Sequence, residues 1–450
     1  MIMAAVGIII SVLLGLCMVS LLWPSNLPRL LALVFAPAVG IGLCSLIFIA
    51  FRRPMFLVES GLLLVLAVAC IYYRRWRFEP LMWRPIGVWR VPAVFLLLVC
   101  AAGMALSYDM SRIERSPHGD WDATAIWNSH ARYLFRDGPV WRKTILNTYH
   151  ADYPLLVPAT TARLWRYMKD EDPDAAEALG ILYTFAAIAV LTATLIHLRK
   201  SSRAVLFALV LLGTPFYVAY GVSGSADVPL SLYVLATIAL ICLESQAAPE
   251  SAGLLVLAGF AAGCAGWTKN EGLLFIVAAA LAMLAPVFWE PRKTALRFFA
   301  FAAGMALPLA MIVWFKVAVA PPNDIVDGNY AGMLQRLLTP HRYVITWTTI
   351  SDTFWSFGNW LVNPILLILI YVALQGLDRK ILLDRGWLQG VFICTVVLAG
   401  YTATYLITPM DLQWHLDSSL PRLYLHLWPS FLLLCGLAGP RDPFTTFQPG

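Results

Sequence analysis

Residues 252–289 read AGLLVLAGFAAGCAGWTKNEGLLFIVAAALAMLAPVFW, two apolar runs joined only by Thr268-Lys269-Asn270-Glu271. Each run approaches the length that crosses a hydrocarbon layer as a helix, about 20 residues at 1.5 Å apiece. The pattern recurs along the chain. Apolar blocks fall at roughly 3–23, 30–51, 55–73, 91–108, 178–197, 204–222, 228–243, 252–267, 272–289, 298–318, 353–377, 387–408 and 423–438. They read as about 13 transmembrane helices, so the fold class is an all-α polytopic membrane protein.

Composition agrees. Of 450 residues, 60% are hydrophobic and 13% charged, with a mean hydropathy of +0.74. A soluble domain carries roughly 25% charged residues. The net charge of +6 comes from Lys and Arg in short linkers between blocks, which reads as topology signal and excludes a nucleic-acid-binding face. All eight cysteines lie inside apolar blocks without metal-ligand spacing, where they act as small hydrophobes. Met1 to Trp23 lacks a basic start and a small-residue cleavage site, so it reads as a retained first span.

Basic linkers set the orientation. Arg74, Arg75, Arg77, Arg84 and Arg90; Arg199, Lys200 and Arg203; Arg292, Lys293 and Arg297; and Arg379, Lys380 and Arg385 are expected on the cytoplasmic side. Counting outward puts 109–177, the turn from Gly221 to Asp227, the turn from Thr268 to Glu271, 319–352 and 409–422 on the extracytoplasmic face. Arg52 and Arg53 fall on that face too, against the trend.

Charge is unevenly spread. Of 26 acids, 11 lie between Asp109 and Glu177, with 9 basic residues. This first loop is expected to be a small helical element. Asp122 to Arg136 carries Ile126, Trp127, Ala131 and Leu134 on one face, an amphipathic helix suited to the membrane interface; Pro158 to Met168 is the second helical piece.

Five groups of residues offer chemistry. In Gly119-Asp120-Trp121-Asp122, two carboxylates at the membrane surface stand where a base acting on a lipid-borne substrate belongs, although Asp is also a favoured helix cap. His150-Ala151-Asp152-Tyr153-Pro154 closes the loop as a turn. Asp227 begins a span within Ser225-Ala226-Asp227-Val228-Pro229. Lys269 and Glu271 interrupt two apolar blocks almost without a loop, the placement that marks a substrate pathway; an ion pair within a tight turn is the plain alternative. His415 and Arg422 lie in Thr408 to Arg422, directly before the last span. Arg422 stands on the wrong side for a positive-inside residue.

In this order the motifs resemble the GT-C superfamily of integral-membrane glycosyltransferases, in the branch of the dolichyl-phosphate-mannose protein mannosyltransferases and the bacterial aminoarabinose transferase. The carrying features are the early acid pair Asp120 and Asp122 in a large first loop, the Tyr153-Pro154 turn, the Ala226-Asp227-Val228-Pro229-Leu230 span start and the Thr268-Lys269-Asn270-Glu271-Gly272 turn. The likeness covers roughly 91–438, a GT-C-like catalytic module, with 1–90 as additional spans and 439–450 as a cytoplasmic tail. Three spans precede the family-like part, and an adjacent Asp-Glu pair is missing.

The resemblance implies an inverting transferase in the plasma (inner) membrane, with its active site on the periplasmic side, moving a sugar from a polyprenyl-phosphate donor to a hydroxyl of a lipid, glycan or protein acceptor. Asp122 would be the base and Asp120 its neighbour. Lys269 and Arg422 would hold the donor phosphate, with Arg132 in reserve, and Asp152, Tyr153, Asp227, Glu271 and His415 would line the substrate site. No cofactor is required; Asp120, Asp122 and Asp227 would bind a divalent metal only if they converge. A transporter or flippase, with Asp227, Lys269 and Glu271 as a coupling site, is the competing class. A non-catalytic assembly subunit is the third.

Overall fold

The computed structural model describes residues 2–73, 120–136, 138–199, 203–323, 325, 328–359 and 363–440. The expected span at 91–108, the basic residues from Arg74 to Arg90, Lys200 and residues 441–450 lie outside them. All regular structure among the described residues is helical.

The chain begins with α1 (Ile2–Leu22), α2 (Arg29–Phe51) and α3 (Met55–Tyr72). A π-helical turn, Ala123–Trp127, leads into α4 (Asn128–Arg136), and α5 (Leu156–Met168) follows. Apart from helical turns of three or four residues, the helices that follow are α6 (Asp174–Arg199), α7 (Arg203–Leu212), α8 (Pro215–Val222), α9 (Asp227–Gln246), α10 (Ala252–Thr268), α11 (Glu271–Leu284), α12 (Pro291–Ala318), α13 (Tyr330–Leu337), α14 (Pro340–Ser356), α15 (Pro364–Gln375), α16 (Arg385–Ile407) and α17 (Leu412–Ala438). Among the described residues, eight helices are long and apolar enough to cross a membrane, and up to ten spans result if each of two bent pairs counts as one. This is a multi-pass membrane protein.

Four expectations need correction. The block at 204–222 is α7 and α8, bent by 66° at Thr214-Pro215, because Pro215 lacks the N–H that a continuous helix would need there. The block at 353–377 is not one straight helix, since the helices Pro340–Asn359 and Pro364–Gln375 diverge by 84°. Residues 319–352 and 409–422, expected to lie between spans that begin at 353 and 423, contribute α13, most of α14 and the first turns of α17. The apolar face of Ile126, Trp127, Ala131 and Leu134 is covered by protein, with α5 packed against α4, and does not face the membrane interface.

Helix α9 is the axis of the bundle, with 94% of its apolar window buried, and α6, α10, α16 and α17 surround it. Asp227 opens it and Glu244 lies near its end, about 26 Å away at 1.5 Å per residue over 17 residues. The two ends differ in character. Glu244 accepts from Arg297 and lies 4.0 Å from Arg385, so two of the basic linkers gather at that end. Helices α10 and α12 meet through glycines; a Cβ on Gly259 would stand 1.8 Å from the Phe301 carbonyl oxygen, and one on Gly304 1.9 Å from that of Val256. Only glycine permits such an approach between membrane helices.

The first three helices are fastened to the loop element by a buried ion pair. Arg163 of α5 donates to Glu59 of α3 through Nε at 2.6 Å and Nη2 at 2.9 Å, and through Nη1 to Ser11 Oγ of α1 at 3.0 Å. Tyr167 donates to the same carboxylate at 2.6 Å. Arg52, the basic residue that runs against the orientation rule, donates to the Leu134 carbonyl and lies 5.5 Å over the Trp141 ring. Its position follows from a contact with the loop element.

Candidate functional site

Gly224, three residues before α9, takes a φ of +77°, a left-handed turn that suits glycine, and lies beside Ala123. Asp227, which opens α9, is fully buried. Its Oδ1 accepts from Lys269 Nζ at 2.9 Å and lies 2.8 Å from His426 Nε2, while Oδ2 accepts from Arg422 Nη2 at 3.0 Å and Nε at 3.3 Å. A carboxylate only accepts, so His426 Nε2 bears the proton and Nδ1 accepts from the Tyr401 hydroxyl at 3.1 Å.

Arg422 reaches further. Its Nη2 also contacts Asp122 Oδ2, and its guanidinium lies 5.5 Å from the Tyr220 ring centroid. Lys269, extended at the end of α10, pairs with Glu271 Oε1 at 3.0 Å, leaving the buried Oε2 without a hydrogen-bond partner among the described residues. Three carboxylates (Asp122, Asp227, Glu271) thus face two cations (Lys269, Arg422), giving a net charge of −1 with His426 neutral. The groups come from the loop element, α9, the α10–α11 turn and α17.

Asp120 stands beside this cluster as a cap, its Oδ1 accepting from the Ala123 N–H at 2.8 Å. Burial pushes its carboxyl above the usual carboxylate range; the Ala123 hydrogen bond opposes the shift and the neighbouring Asp122 adds to it. Tyr153 is stacked between Trp127 and His150, with ring centroids 5.6 and 4.7 Å away. Burial, and then the charge of Glu271, raise its phenol well above the ordinary value, with Arg422 and Asp122 also in its field.

Asp152 forms a second layer. Its Oδ2 accepts from Asn270 at 2.6 Å and Asn323 at 2.8 Å, and Lys316 donates to its carbonyl at 2.5 Å and to Asn270 Oδ1 at 2.7 Å. These bonds tie the Tyr153-Pro154 turn to the residue after Lys269. His415 bonds Thr408 Oγ1 at 3.0 Å and lies edge-on to Tyr405.

One expectation is not met here, and the condition stated for a metal is not fulfilled. Arg132 is half exposed and lies 3.9 Å from Glu171, so the reserve cation is held on the loop surface and does not join the cluster. Asp120, Asp122 and Asp227 do not converge for a metal, since the Asp227 oxygens face four nitrogens; among the described residues no three His, Cys, Asp or Glu side chains form a metal-holding group.

His426 and Tyr401 were not singled out from sequence. A signal for His426 was present, since Arg422 and His426 are four residues apart and share a helix face, and an ionisable residue inside a span is a functional candidate. Chemically, the cluster offers a carboxylate able to accept a proton beside two fixed cations able to stabilise an anion. Comparisons of the chain with protein-family models, curated proteins and solved structures find no match.

Proposed function

We propose that the chain is an integral-membrane glycosyltransferase of the GT-C type, taking a sugar from a polyprenyl-phosphate donor and transferring it with inversion to an acceptor hydroxyl. The observation that carries this reading is the contact of Asp122 with Arg422 over Asp227 and Lys269. It joins a candidate base to a pair of cations at one end of the helix bundle. Asp122 takes the hydroxyl proton while the acceptor oxygen bonds to the anomeric carbon; the bond from that carbon to the phosphate oxygen breaks, and its electron pair leaves on the polyprenyl phosphate. That leaving group needs cations more than a proton donor, unlike the alkoxide released in glycoside hydrolysis.

The cluster is already anionic by one charge, so an incoming phosphate competes with Asp122 for Arg422. Donor binding and release of the base are then one event. In this reading thirteen spans result from the eight long helices, the two bent pairs, α10, the second half of α17 and the block at 91–108. The Asp227 end faces the periplasm, the loop at 109–177 is the helical first extracytoplasmic element, and the Glu244 end, with the basic linkers, faces the cytoplasm of a plasma-membrane protein.

The deciding experiment is sugar transfer in proteoliposomes from a set of polyprenyl-phosphate sugars; no transfer with any donor removes the proposal. A flippase is favoured by one feature, the complete burial of Asp227 among ionisable partners at a span end. It predicts donor movement between leaflets without cleavage.

A further inference from the structure

A cleft of about 190 Å³ opens beside Arg422, on its Tyr220 side, between α8, the end of α14 and the first turns of α17. It exists because both helix breaks meet there. α7 and α8 diverge by 66° and the Pro340–Asn359 and Pro364–Gln375 helices by 84°. Gly358, at φ +84°, seals the junction, since a Cβ there would stand 3.2 Å from Thr214 Cγ2 and 3.1 Å from Pro364 Cγ.

Three aromatic rings, Phe216, Tyr220 and Phe357, share the lining with Asn359, Asp417 and Arg422. Phe357 is held rigidly, edge-on to Trp428 at 5.2 Å and Tyr424 at 5.9 Å. We propose that this cleft holds the sugar ring of the substrate, its C–H face on the aromatic wall and its hydroxyls on Asn359 and Asp417. A proposal of this kind rests on the transferase reading and deepens it.

The lining excludes other ligands. A phosphate gains nothing from three rings, is repelled by Asp417 and finds Arg422 already paired with Asp122 and Asp227, and an acyl chain would strip water from Asn359 and from the Asp417 carboxylate, whose Oδ1 accepts from Gln413 at 2.9 Å. Aromatic faces are electron-rich and attract weakly positive C–H groups, while a few placed polar groups fix orientation. The volume is below the roughly 300 Å³ at which drug-sized sites begin, which suits one ring and not an oligosaccharide. Arg422 lies at the boundary of cleft and cluster. A ring seated here therefore directs its anomeric oxygen, and the phosphate on it, toward that guanidinium.

The test uses the full-length protein in detergent and saturation-transfer NMR with methyl pyranosides of gluco, manno, galacto and arabino configuration. At least one glycoside should show transfer to its ring protons. Phe357→Ala should weaken that binding by about fivefold, the factor corresponding to roughly 1 kcal/mol of ring stacking. Asp417→Asn, which keeps size and helix, should weaken it comparably and stands in if Phe357→Ala fails to fold. Trp347→Ala, at an exposed position outside the cleft lining, should bind as wild type. No signal for any glycoside, or wild-type binding in the folded cleft variants, overturns the assignment. The measurement involves no phosphate and no transfer, so the cleft and the transferase reading fail separately.

Discussion

Asp122 Oδ2 and Arg422 Nη2 are in contact, joining the first loop element to the last helix. Arg422 also holds Asp227, so one guanidinium links a carboxylate at the cluster's edge to one that is fully buried. The buried carboxylate is held by Lys269, Arg422 and His426; in the proposed reaction the outer one is the partner that exchanges.

Asp227→Ala removes the shared anion of Lys269, Arg422 and His426. Breaking a buried pair typically costs about 3–5 kcal/mol, because the remaining charge is left uncompensated. The variant should show a clearly lowered midpoint of thermal unfolding in detergent, and Asp227→Ala combined with Lys269→Met should recover part of the loss. Additive losses in the double variant would mean the two groups do not interact.

Arg163→Met strands Glu59 between α1, α3 and α5 and should destabilise the fastening of the loop element by a similar amount. Limited proteolysis should cut the 138–174 region faster than in wild type. Glu59→Gln added to Arg163→Met should slow the cutting again, and unchanged cutting in the single variant would contradict the role given to this pair.

Much of the architecture was legible in sequence because long apolar blocks bounded by charge have one physical solution. The helix starts near 2, 29, 55, 174, 227, 271, 291 and 385 follow it. Hydropathy does not register a bend, so Pro215 and the break near Gly358 passed inside blocks that looked continuous. It also hid the helical content of Thr408 to Arg422, where polar residues lie on one helix. For the site, Asp122, Asp227, Lys269, Glu271 and Arg422 were named from charges at block ends, and they do meet. The histidine at 426 was hidden inside a block, and Glu59 and Arg163 pair across more than a hundred residues, a contact no local pattern encodes. Arg132 misled because a basic residue after an acid motif looks alike whether it faces the cluster or, as here, Glu171.

The sidedness of the bundle predicts a labelling pattern. In a cysteine-free background, Trp121→Cys and Trp414→Cys, both more than half exposed near the Asp227 end, should react with an impermeant thiol reagent in intact cells. Leu383→Cys, exposed at the Glu244 end, should react only after permeabilisation. The reverse pattern would turn the protein over and remove the proposed periplasmic site.

The loop element should be acid-sensitive through His130. Burial pushes its imidazole down to about 4, against the hydrogen bond to the Tyr149 carbonyl, which favours the charged form. The unfolded imidazole titrates near 6.5. Between these values the unfolded chain binds more protons than the folded one, so stability is full above about pH 6.5 and falls as pH drops toward 4, by at most about 3 kcal/mol. Hydrogen exchange of 128–149 should rise over that window, and His130→Gln should flatten the rise. A pH-independent exchange rate in wild type would contradict it.

The central claim is tested most directly by Asp122→Asn in a donor-saturated transfer assay in proteoliposomes. The substitution keeps the side chain's size but removes the base. The account predicts wild-type transfer from a polyprenyl-phosphate sugar and a rate lower by about 10² to 10⁴-fold in the folded variant. Its KM for donor should be equal or lower, because Arg422 no longer has Asp122 to displace. A folded Asp122→Asn protein that transfers sugar at the wild-type rate would contradict the account.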